Sequence, residues 1–102
     1  MAKGSLSTHV LDTSTGKPAP GVRVEVQRDG KAVASGVTDT DGRIRELASD
    51  LESGTYRLIF DTRGYSADAF FSRVALDVEL SAAHTHVPLL LSKFGLTSYR
   101  GS

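Results

Sequence analysis

At 102 residues the chain has room for one domain and a single core. Its 12 Lys and Arg balance 12 Asp and Glu, a formal net charge of zero, which argues against a nucleic-acid partner, since such a domain gathers a basic excess on one face. It contains no cysteine, which excludes disulfides and thiolate metal sites and fits a reducing, cytoplasmic setting. The start, Met1 to Ser5, shows no apolar leader, and no run approaches the ~20 apolar residues of a membrane span, so no membrane partner is expected. A charge near zero also does little to keep copies apart, which permits oligomerisation.

In chain order, the pattern has period two, with turn residues as punctuation. Leu6, Thr8 and Val10 alternate with Ser7, His9 and Leu11 in a first strand, and Gly16 to Gly21 is rich in turn residues. Val22, Val24 and Val26 alternate with Arg23, Glu25 and Gln27. Asp29-Gly30 then turns the chain into a weaker strand over Lys31 to Thr38. Asp41-Gly42 turns into a short strand, Arg43 to Leu47, and Ser49 to Gly54 reads as a loop. Tyr56, Leu58 and Phe60 mark another strand, and Thr62 to Ala69 is the only stretch that fits a helical turn. Strands over Val74 to Leu80, His84 to Ser92 and Leu96 to Arg100 close the chain. About eight short strands at regular spacing predict an all-β, two-sheet antiparallel sandwich spanning 1–102, with at most one short helix. Pro88 cannot donate to a ladder, so it marks an edge, a bulge or an unpaired position.

The groups able to do chemistry are few. His84 and His86 stand two apart and share a strand face, continued by Pro88 and Leu90; His9 lies on the first strand, on the face away from Thr8 and Val10. Such imidazoles are either surface groups or a set of general bases titrating near neutral pH. A His-x-His pair with a third histidine is also a formal zinc pattern, but the carboxylates supply no partner at suitable spacing, so no metal and no cofactor is expected. Arg43 opens a strand after Asp41-Gly42, where a guanidinium reaches a ligand edge with two parallel donors; the alternative is a solvated arginine like Arg45. The tail Tyr99-Arg100-Gly101-Ser102 collects a phenol, a guanidinium and a hydroxyl after an apolar run, and is expected to be tied down in strand, presenting the Ser102 hydroxyl or carboxylate at a fixed place. There is no Gly-x-Ser-x-Gly nucleophile, no cysteine nucleophile and no phosphate loop, so any hydrolysis would use water without a covalent intermediate.

Three segments together resemble the 5-hydroxyisourate hydrolases, or transthyretin-like proteins. They are Leu6 to Asp12 with Gly16-Lys17-Pro18-Ala19, Thr38 to Arg43, and His84 to Ser92 followed by Tyr99 to Ser102. The likeness runs along essentially the whole chain, with its two ends the most specific. It departs at Thr97-Ser98, where the family has the reverse order, and at Ile44, where a cysteine is common. The stretch from Tyr65 to Phe71 is shorter than usual and lacks the aromatic-Pro pattern. The resemblance implies an eight-stranded transthyretin-like sandwich, a homotetramer built as a dimer of dimers, and a small-molecule substrate, 5-hydroxyisourate, opened by metal-free water attack. It implies catalytic roles for His9, Arg43, His86 and Ser102: two histidines flanking the water, an arginine on the purine edge, and an orienting tail group. Tyr99 and Leu90 would wall the pocket. His84 reads as a neighbouring or rim residue. Against the enzyme stands a carrier with the same channel and no turnover; the His9, Arg43, His86 and tail set favours the enzyme.

Overall fold

A computed structural model describes residues 3–101. Alternation of apolar and polar residues builds nine strands: β1 (Gly4–Asp12), β2 (Lys17–Pro18), β3 (Arg23–Arg28), β4 (Lys31–Val37), β5 (Arg43–Leu51), β6 (Gly54–Asp61), β7 (Arg73–Leu80), β8 (His84–Leu91) and β9 (Leu96–Ser98). One sheet has the order β4-β3-β6-β7. The other runs β2-β1-β8-β9, with β5 pairing β1 on the edge β2 also uses. The inward faces interdigitate. Leu6 and Val10 from β1, Val24 and Val26 from β3, Leu58 and Phe60 from β6 and Leu89 from β8 are fully buried. Each such side chain contributes about 1.5–3 kcal/mol of burial.

The expected two-sheet all-β architecture is what the chain adopts, with local differences. The helical turn expected over Thr62 to Ala69 shrinks to a single 3₁₀ turn, Thr62–Gly64, entered through Asp61, whose carboxylate accepts from the Arg63 N–H. The loop expected over Ser49 to Gly54 begins later, because β5 continues to Leu51 by following β1 through two register shifts. The turn-rich stretch after Gly16 contains the two-residue β2. Among the described residues all but one of the strand pairings are antiparallel; β1 and β8 run parallel.

Pro88 meets its expectation in a specific way. Gly101 N–H donates to the His86 carbonyl, so that edge of β8 faces the tail, and the alternation of a strand returns the backbone of Pro88 to the same edge. With no N–H to give there, the β9 ladder stops at Ser98, which donates its hydroxyl to the Pro88 carbonyl instead. Pairing resumes at Gly101 opposite His86, in unbroken register.

The Asp39–Gly42 turn is held equally firmly. Gly42 adopts φ +72°, its carbonyl accepts from Val10 N–H, and it lies against the Ala19–Val10 backbone hydrogen bond. A Cβ at this position would collide with the Val10 carbonyl and come 3.0 Å from the Ala19 nitrogen. Gly42→Ala is therefore expected to destabilise the fold by about 2–4 kcal/mol, from left-handed strain plus the clash. A urea midpoint unchanged from wild type would show that the turn is not fixed this way.

Candidate active site

The outer face of the five-stranded sheet carries the polar groups that the core cannot. The parallel register sets Ser5 beside His84, Ser7 beside His86, His9 beside Pro88 and Leu11 beside Leu90. On the opposite edge of β1, His9 stands directly across from Arg43, a pairing that brings Cβ atoms to about 4.5–5.5 Å. Residues brought from three distant parts of the chain thus share one surface.

Arg43 is positioned by the turn before it. The Asp39 carboxylate accepts from the backbone N–H groups of Asp41 (2.9 Å) and Arg43 (3.0 Å). The Arg43 N–H is the largest influence holding that carboxyl below its ordinary range, and the Asp41 N–H adds to it. The same turn holds the neighbouring imidazole, since His9 Nε2 donates to the Asp41 carbonyl at 2.9 Å. That contact leaves Nδ1 as the acceptor of a neutral ring.

His86 is half-buried and lines a cleft of about 170 Å³ with Ser7, Thr8, Arg43 and Arg45. Its Nδ1 lies 2.7 Å from Ser7 Oγ. Gly101 packs against the ring: a Cβ there would approach His86 Cδ2 to 2.7 Å and the His86 carbonyl to 3.2 Å. Burial, and then the charges of Arg43, His9 and His84, lower its pKa from the ordinary 6.5. The imidazole is therefore held in its neutral, base-competent form at neutral pH.

The structure brings His9, Arg43 and His86 together, with Leu90 farther along the same face. Tyr99, more than half exposed, falls opposite Pro88 when the β9 register is continued, and borders a groove shared with Leu76, Val78 and Arg100. Ser102 lies outside the described residues. Among the described residues no three His, Asp or Glu side chains converge as a metal-ligand set. Ser5 and Ser7 are partners that sequence reasoning missed. Period two in β1 already placed them on the face of His9, but their contacts depend on a parallel pairing that no local pattern announces.

A two-sheet sandwich with an imidazole–guanidinium cluster on its outer face defines a class, the transthyretin-like β-sandwiches with a polar site on one sheet. The model of the HIUase/Transthyretin family matches residues 6–101, and the chain belongs to that family. It is 44% identical over 116 residues to a 5-hydroxyisourate hydrolase of Salmonella typhi, covering 100% of this chain and 85% of that protein. The solved 5-hydroxyisourate hydrolase of Klebsiella pneumoniae superposes with a TM-score of 0.91 at 38% identity, over 97% of this chain and 99% of that one. A sea bream transthyretin solved in complex with thyroxine gives 0.85 at 30% identity, over 95% and 94% of the two chains.

The lowered pKa of His86 has a definite sign. Between the folded value and 6.5 the unfolded chain binds the extra proton and the native protein does not, so stability falls as pH drops through that window. An NMR titration of the His86 ring should give a midpoint below 6.5. Replacing Arg43 by Gln should move that midpoint upward, and a titration unaffected by the loss of the guanidinium would show that Arg43 does not act on the ring.

Proposed function

We propose that this protein hydrolyses 5-hydroxyisourate to 2-oxo-4-hydroxy-4-carboxy-5-ureidoimidazoline, a step of urate degradation. The observation that carries the reading is the convergence of His9, Arg43 and His86 on one open sheet face, in a chain whose relatives bear that hydrolase name. His86, neutral at working pH, takes a proton from water as the water oxygen attacks a ring carbonyl. His9, fixed by the Asp41 carbonyl, orients that water through its other ring nitrogen. Arg43 binds the acceptor-rich purine edge and stabilises the negative charge developing on the carbonyl oxygen. The carbon–nitrogen bond of the ring then breaks, and His86 returns the proton it took from the water to the departing nitrogen.

Ser102, the residue after Gly101, is assigned the orienting role, and Leu90 and Tyr99 the pocket walls. The attack needs no metal in this reading. Both nitrogens of His84 and Nδ1 of His86 are engaged by serine hydroxyls, which leaves them poorly placed as ligands. A homotetramer, as a dimer of dimers, belongs to the same proposal and is supported by exposed Phe70, Phe71 and Phe94, apolar area that a second copy would cover. A cytoplasmic location completes it, checked by fractionation of the producing cells.

Urate oxidase generates the substrate in the cuvette, and its decay is followed by ultraviolet absorbance. The protein should accelerate that decay; a rate equal to the uncatalysed one would leave the carrier reading in its place. His9→Asn, His86→Asn and Arg43→Lys should each lower kcat/KM by about 10²-fold or more, and wild-type rates in all three would remove the site from this face.

Gly101→Ala offers a gentler probe, because the added Cβ meets the His86 ring. It should cut turnover roughly tenfold, a part of the ~10²–10⁴ that a positioned base contributes, while changing the urea midpoint little, since among the described residues Gly101 makes one backbone hydrogen bond, to the His86 carbonyl. Full activity would mean that the tail does not set the ring.

A further inference from the structure

His84 takes no part in the mechanism above, yet both its ring nitrogens are occupied. Its Nδ1 lies 2.6 Å from Ser5 Oγ and its Nε2 2.9 Å from Ser7 Oγ. Ser7 Oγ also lies 2.7 Å from His86 Nδ1. A continuous chain, Ser5–His84–Ser7–His86, therefore runs along the outer face from an exposed imidazole to the half-buried ring. All three distances are those of good hydrogen bonds.

A hydroxyl has one hydrogen and a neutral imidazole has one N–H, so the chain permits two orders. In the first, Ser5 donates to His84 Nδ1, His84 Nε2–H donates to Ser7, and Ser7 donates to His86 Nδ1; His86 then carries its hydrogen on Nε2. In the second, His86 Nδ1–H donates to Ser7, Ser7 donates to His84 Nε2, and His84 Nδ1–H donates to Ser5. His86 Nε2 is then a bare lone pair. The second order makes His86 a base toward the cleft, and the first makes it an acid.

We propose that Ser7 and His84 are positioning residues that set the tautomer of His86 and carry its proton to solvent. The proposal rests on the hydrolase reading for its reaction and on geometry alone for its tautomer. The transfer balances. When Nε2 takes a proton from the attacking water, the Nδ1 proton passes to Ser7 and the Ser7 proton to His84 Nε2. The His84 Nδ1 proton passes to Ser5, whose own hydroxyl proton goes to bulk water. One proton enters, one leaves, and every group ends neutral, with the chain now in the first order. The cations facing the chain push the same way. Arg43 and Arg45 from β5 line the cleft with His86, and His9 from β1 stands across from Arg43, so a proton left on the ring is repelled by the two guanidinium groups toward the exposed end. Ser7, only 7% exposed, is shielded from water that would otherwise break the order.

The test uses the full-length protein with Ser7→Ala, Ser7→Thr and His84→Asn. Two readouts are taken: turnover of enzymatically generated 5-hydroxyisourate, and the ring ¹⁵N shifts of His86, which distinguish the Nδ1–H from the Nε2–H tautomer. Ser7→Ala and His84→Asn should lower kcat by about tenfold or more with KM little changed, and should redistribute the His86 tautomers. Ser7→Thr, which keeps the hydroxyl, should restore both. Unchanged tautomers in Ser7→Ala and His84→Asn overturn the proposal. So does a loss of kcat that Ser7→Thr does not rescue, since that marks a packing role. Absence of turnover in the wild type would instead sink the hydrolase reading, while the ¹⁵N shifts still decide whether the chain sets the tautomer.

Discussion

The parallel pairing of β1 with β8 is the constraint on which the site depends. The two strands lie at opposite ends of the sequence, and joining them side by side closes most of the chain length between them. Their shared register buries Leu6, Thr8 and Val10 against the core together with Thr85, Val87 and Leu89. The same register then decides what the outer face holds. A slip of one residue would send His86 into the core and a valine to the surface, so the apolar pattern that fixes the core also fixes which polar groups meet outside. The site is thus specified by burial on the other side of the sheet.

Electrostatics on that face centre on one imidazole, that of His86, whose pKa is lowered. Arg43 and His9 are brought to one spot by the Asp39–Gly42 turn, which grips the arginine backbone through a carboxylate and the histidine ring through a carbonyl. Partial burial disfavours protonation of His86, and the charges of Arg43, His9 and His84 add to this. A lone imidazole so treated would be a poor hydrogen-bonding partner in a half-dry setting. Ser7 supplies the missing partner, and no buried side-chain polar atom among the described residues goes unpaired. Neutrality and satisfaction of the ring are therefore achieved by different neighbours, one set charged and one set not.

The sandwich was readable in the alternation itself: Val22, Val24 and Val26, or Tyr56, Leu58 and Phe60, leave little choice of structure or face. Boundaries were harder where tertiary pairing overrode local chemistry. Ser49 and Asp50 look like a loop, yet they lie within β5 at a register shift, because Ala48 and Leu51 on either side pair with Leu6 and Gly4 of β1. Thr62 to Ala69 lacks strand alternation but has only eight residues, several of them weak helix formers, too few to propagate a helix without a packed face, and one 3₁₀ turn forms. Of the candidate site, His9, Arg43 and His86 were legible as residue types after recognisable turns and strands, and the structure gathers them. Ser5 and Ser7 were not. Serine on a strand face is ordinary, and only the β1–β8 register turns these two hydroxyls into partners of His84 and His86.

The same frame underlies a hydrolase and a transthyretin solved in complex with thyroxine among its structural neighbours, so the fold by itself does not choose between turnover and binding. The outer face of the sheet carries side chains whose replacement costs the core nothing. His9, Arg43, His84 and His86 all project from the face opposite the buried stripe, and each is free to change without creating a cavity. Gly101 is the exception that links the two levels. It is favoured by contact, since a Cβ there would press on the His86 ring, while its N–H continues the β8 edge that Pro88 left open. A strand-breaking proline and a glycine thirteen residues later together let the tail cross the end of β8 at the height of the histidine. The tail is in this way part of the site's geometry before any of its own functional groups is considered.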